Sequence, residues 1–89
     1  MRFEPIQPIL RNQLLWVAQS HGYSFVISQE LEQGDPQWSG FTASWKALKA
    51  DMRPFGTQPI NRIDGGPWQR FTDAERACEA VLKQLRAKQ

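Results

Sequence analysis

PILRNQLLWVAQSHGYSFVIS, running from Pro8 to Ser28, is the stretch on which the architecture turns. Leu10, Leu14 and Val17 recur at i, i+4 and i+7, with Ile9 and Trp16 flanking them, which is helical spacing. Pro8 suits a first helical position, where its missing N–H costs nothing, and Gly22 suits the residue just past a helix end. The spacing therefore predicts a helix over 8–21, with His21 at its end to bond the last carbonyls. The same letters also divide into LLWVAQ and YSFVIS, two strands turning at Ser20–Gly22. Short apolar runs are ambiguous by periodicity alone, and both readings stay open.

Beyond Gly22 the pattern is simpler. In YSFVISQEL, Tyr23, Phe25 and Ile27 point one way and Ser24, Val26 and Ser28 the other, as in a half-buried strand. EQGDP, residues 32–36, is turn chemistry. WSGFTASWKAL alternates again: Phe41, Ala43 and Trp45 share a face, and Trp38, Gly40, Thr42 and Ser44 share the other. These two strands are expected to pair antiparallel. Residues 49–59 read as a loop carrying Met52 and Phe55, and INRI, residues 60–63, as a short third strand. Met1 to Gln7, spaced by Pro5, reads as an extended arm.

RIDGGPWQRFTDAER, residues 62–76, leads into the last helix. A phosphate loop places its glycines at the turn entering the helix and follows them with lysine and a hydroxyl. Here five residues separate Gly65 and Gly66 from Thr72, and acids occupy the first helical turn. The stretch Asp64–Pro67 is therefore read as a turn, with Trp68 and Phe71 pinning the helix entry to the core. Thr72 with Glu75 three residues on reads as a capping box opening a helix over 72–88. Ala74, Ala77, Cys78, Val81 and Leu85 form its apolar stripe. The fold class is thus α+β: three antiparallel strands with a C-terminal helix on one face and an N-terminal helix beside it.

Composition narrows the function classes. Eighty-nine residues suit one domain. With 40% hydrophobic residues and four tryptophans the chain is too apolar for disorder. No run approaches the roughly 20 apolar residues of a membrane span. Glu4 and two prolines stand where a signal peptide carries its apolar region, so a cytoplasmic location is expected. A formal charge of +2 does not announce a polyanion partner. Lys83, Arg86 and Lys88 complement the dipole at the end of the last helix.

Catalytic chemistry is not visible. One histidine and one cysteine cannot supply the four ligands of a structural zinc site. Cys78 lies in the helix stripe beside Glu75 and Glu79 and reads as a buried, inert thiol. Glu30, Glu32 and Asp35 cluster only in a turn. No catalytic residue, metal or cofactor is expected. An enzyme using His21 and Cys78 is the remaining catalytic reading.

The order helix–strand–strand–strand–helix, with AQSHGY and the closing ACEAVLKQL, resembles the layout of double-stranded-RNA-binding domains over about residues 8–86. The family's lysine pair at the start of the last helix has no match, because Thr72, Asp73 and Glu75 hold that place. Its loop histidine has no match either. The layout also resembles small uncharacterised bacterial α+β domains with a Gly-Tyr strand, a Trp strand and a Phe-Thr-x-x-Glu-x-Ala helix. The leading expectation is a non-enzymatic interaction or adaptor module, contacting a protein partner or a second copy as a homodimer. Its surface would be the open sheet face and the 46–55 loop, with Trp38, Lys46, Lys49, Arg53 and Phe55. The alternative is a nucleic-acid-binding module in which Trp38 stacks on a base beside Lys46, Lys49, Arg53, Arg62 and Arg70.

Overall fold

The computed structural model describes residues 1–7, 12–31, 39–48 and 59–88. Five strands and one helix follow in chain order: β1 (Glu4–Ile6), β2 (Gln13–Ser20), β3 (Tyr23–Glu30), β4 (Thr42–Ala47), β5 (Asn61–Arg62) and α1 (Phe71–Ala87). The strands form one antiparallel sheet in the order β1-β2-β3-β4-β5. The α+β class and the C-terminal helix hold. The three-strand sheet and the N-terminal helix do not.

The correction lies in the opening stretch. Gln13–Ser20 is a strand, zipped to β3 from Gln13↔Glu30 to Ser20↔Tyr23. His21 and Gly22 form a two-residue hairpin loop with φ of 52° and 83°. Two positive φ values are the signature of the tight turn whose twist matches a hairpin. Gly22 thus does serve a left-handed position, but in a hairpin rather than past a helix end. His21 sits in the same turn, with Nδ1 2.7 Å from Ser20 Oγ, and caps no helix. Pairing with β2 also gives β3 a neighbour on both edges, so that its backbone N–H and C=O groups are bonded on either side. Within the stretch read as an extended arm, Glu4–Ile6 pair with β2 as an edge strand. Pro5 at its centre lacks a donor and blunts that edge.

Among the described residues nothing lies within 4 Å of a Cβ placed at Gly22, so alanine there meets only backbone strain. Gly22→Ala is expected to cost about 1–2 kcal/mol of unfolding free energy. D-alanine at the same position, which prefers positive φ, should cost far less. Urea unfolding of the two proteins checks the turn; equal losses would contradict it.

The core lies between the sheet and α1. Phe25 and Ile27 of β3 are 0% exposed and meet Ala43, Ala74, Cys78 and Leu82. Small residues at 43, 74 and 78 let the helix backbone approach the sheet. Larger rings fill the two ends. At one end Phe71 packs edge-on to Phe3, Trp16 and Phe41, with ring centroids 5.9, 5.0 and 5.7 Å away. At the other, Tyr23 and Trp45 meet at 5.7 Å. Trp16, expected at the edge of a helical stripe, enters this core from β2. Leu82, absent from the expected stripe, is buried, while Ala77, Val81 and Leu85 are half-buried.

The helix begins two residues earlier than a capping box at Thr72 requires. Arg70 is its N-cap, extended at φ −117° and ψ 142°, and makes no side-chain capping bond. Thr72 is exposed within the first turn. The entry is held instead by the Phe71 ring and by Trp68, whose backbone exchanges two hydrogen bonds with Phe41 at 2.7 and 2.8 Å. Asp64 and Gly65 form the expected turn, Gly65 with φ 108° and the Gly66–Pro67 bond cis. A side chain on Gly66 would come within 2.9 Å of the Trp68 ring, so this glycine makes room for the indole.

Candidate functional site: the uncovered face of the sheet

Residues paired directly across an antiparallel sheet point to the same side. The register therefore maps the face turned away from α1 without ambiguity. One row crosses all five strands: Glu4, Val17, Val26, Ser44 and Arg62. A second holds Ile6, Leu15, Ser28 and Thr42, and a third holds Gln19, Ser24 and Lys46. Among the described residues no element lies over these rows, since α1 packs on β3 and β4 from the other side.

The face is mixed in chemistry. Leu15, Val17 and Val26 are half-buried, and Ile6 is 44% exposed. Ser28 and Thr42 satisfy each other through a 2.7 Å hydroxyl–hydroxyl bond. Ser24, though on this side, is only 5% exposed. Beside it Val26, Ser44, Trp45, Lys46 and Ile60 line a hollow of about 90 Å³ together with Ser24. Ile60 is 71% exposed, the most exposed large apolar side chain among the described residues. At the opposite edge Arg2, Glu4, Ile6, Val17, Ala18 and Gln19 line a second hollow of about 270 Å³.

Of the residues singled out from the sequence for this surface, Lys46 lies on it. Lys46 is not in a loop, however: it is a residue of β4, exposed and paired with Ser24. Trp38, Lys49, Arg53 and Phe55 lie outside the described residues. Arg62 shares the face with Lys46, whereas Arg70 stands exposed at the helix start. The sequence reading missed Ile60, Glu4 and Ile6. Ile60 had a signal, as the first residue of INRI on the side of Arg62. Glu4 and Ile6 become part of a face only once β1 is seen to pair with β2.

Two other places carry reactive groups. His21, Glu79, Ala80, Leu82, Lys83, Arg86 and Ala87 line an open groove of about 820 Å³ between the hairpin turn and α1. Among the described residues no carboxylate bonds His21, and Glu79 is taken by the Met1 amine at 3.1 Å. Cys78 is fully buried, and burial, with smaller contributions from Glu79 and Glu75, pushes its thiol up to about 12. A thiol so placed is protonated at neutral pH and is a poor nucleophile. No group of three or more His, Cys, Asp or Glu side chains able to hold a metal occurs among the described residues. No helix among them is long and apolar enough to cross a membrane. No family model, curated protein or solved structure matches this chain.

Proposed function

We propose that the chain is a non-enzymatic interaction module of the cytoplasm that binds a protein through the sheet face opposite α1. One observation carries the reading. That face exposes Ile6 and Ile60 and half-exposes Leu15, Val17 and Val26, with no described element covering them. Apolar side chains in a contiguous patch rimmed by polar groups favour a partner that removes them from water.

Ile60→Asp tests the reading with little risk to the fold, because the residue is 71% exposed. Cross-linking with purified bait should show the bound proteins, self included, retained at least about tenfold less well than by the unchanged chain. Ile6→Asp should act in the same direction. Identical capture by all three baits would end the assignment of this face.

A second reading is favoured by the placement of Lys46 and Arg62 on one face, two rows of which they occupy. Nucleic acid gripped there would be held through phosphates, so affinity for a single-stranded oligonucleotide should fall steeply with added salt. Absence of binding at low salt would remove this alternative.

A further inference from the structure

We propose that the occupant of the uncovered face is a second copy of this chain, stacked sheet to sheet across a two-fold axis that runs along β3. The inference rests on reading that face as the interaction surface, and it names the partner. Its starting point is the row Glu4–Val17–Val26–Ser44–Arg62, which crosses the whole sheet with an acid at one edge and a base at the other. Both end residues are exposed, and neither has an ion-pair partner among the described residues.

A two-fold axis along β3 keeps the level along the strands and reverses the order across them. Arg62 of each copy then stands over Glu4 of the other, and Val26 meets Val26. In the flanking rows Leu15 meets Thr42, and Gln19 meets Lys46. No like charges coincide. An axis running across the strands would instead oppose Glu4 to Glu4 and Arg62 to Arg62, which repels. Isologous packing therefore selects one orientation by charge alone.

The local surfaces fit that arrangement. The 270 Å³ hollow that Glu4 lines lies where the second copy's Arg62 would enter. Arg2 also lines this hollow and reduces the gain from the pair. The centre of the face is built from valine and serine, which lets two sheets approach to the usual spacing of about 10 Å. The Ser28–Thr42 bond pairs one hydroxyl hydrogen of their row, so covering the row leaves one more to be met by the second copy. Five strands at about 4.8 Å spacing and three rows at about 7 Å give a projected patch of roughly 19 by 14 Å. With side-chain relief, two copies would bury on the order of 1,000 Å² in total, at the low end for a specific interface. The dimer is accordingly weak and reversible.

Sedimentation equilibrium of the 89-residue chain up to about 1 mM tests this directly, since weak interfaces of this size associate in that range. The unchanged chain should show a monomer–dimer equilibrium that weakens with salt. Glu4→Arg and Arg62→Glu should each weaken dimerisation about tenfold or more, by placing like charges face to face. The double variant, with the charges exchanged, should recover to within about threefold of the original. Unfolding midpoints confirm that each variant is folded; Glu4→Gln and Arg62→Gln, with smaller losses expected, replace any that is not. A monomer at all concentrations overturns the proposal. So does a dimer indifferent to the single changes, or one that the double variant does not restore. If the chain is monomeric while Ile60→Asp still loses a captured protein, the face reading stands and the second copy is excluded.

Discussion

Phe25→Ala is expected to lower the unfolding free energy by about 3–5 kcal/mol. A chain of this size has on the order of 4–13 kcal/mol in all. The ring is 0% exposed and sits at the meeting of β3, β4 and α1, against Ala43, Ala74, Cys78 and Leu82. Ala43 and Ala74 cannot collapse into the space it leaves, because alanine has no side chain to swing inward. The loss should therefore lie toward the upper end of that range. Val26→Ala, one residue on but half-buried on the opposite face, should cost about 1 kcal/mol. Urea midpoints at constant slope measure both. Losses of equal size would mean that the two faces are equally buried, contrary to the fold.

The second large effect is alkaline. Cys78 keeps its proton in the native state up to about 12, against the usual 9.0, chiefly because burial disfavours the thiolate. Below pH 9 both states hold the proton, and the thiol contributes no pH dependence. Between 9 and about 12 the unfolded chain has lost the proton and the native chain has not. Native stability then falls by about 1.4 kcal/mol per pH unit, towards about 4 kcal/mol in total. Cys78→Ala removes this slope and leaves every other titration in place. The difference between the two unfolding curves should be flat to pH 9 and close steadily above it. A difference that stays constant to pH 12 would place the thiol in contact with water.

Much of the fold was legible because it depends on short-range alternation. YSFVIS and FTASW each repeat at a period of two, and that alone assigns Phe25, Ile27, Ala43 and Trp45 to one side. The Asp64–Pro67 turn and the burial of Cys78 were readable for equally local reasons. The candidate surface was legible only in outline. Alternation places Ser24, Ser28, Thr42 and Ser44 on its side, but Lys46, read as loop, belongs to β4, and Trp38, Lys49, Arg53 and Phe55 fall outside the described residues. The charged ends of the long row come from residues 58 positions apart, which register brings to one level.

The helix start shows why one local rule failed. Thr72 and Glu75 satisfy the spacing of a capping box, yet Phe71 finds Phe3, Trp16 and Phe41 by entering the helix itself. Burying an aromatic ring among others is worth more than one capping bond, so packing moved the boundary to Arg70.

The amino-acid order by itself determined which segments alternate, which face of each is apolar, and that the chain ends in an amphipathic helix. It left residues 13–20 undecided, because Leu14 and Val17 suit a helical stripe as well as the two sides of a strand. Gly22 did not arbitrate, since a helix end and a hairpin turn both want positive φ. Only the tertiary structure chose, because β3 has two edges of backbone donors and acceptors to satisfy. A helix over 13–20 could not have bonded to either edge, and a strand there bonds one of them along its whole length.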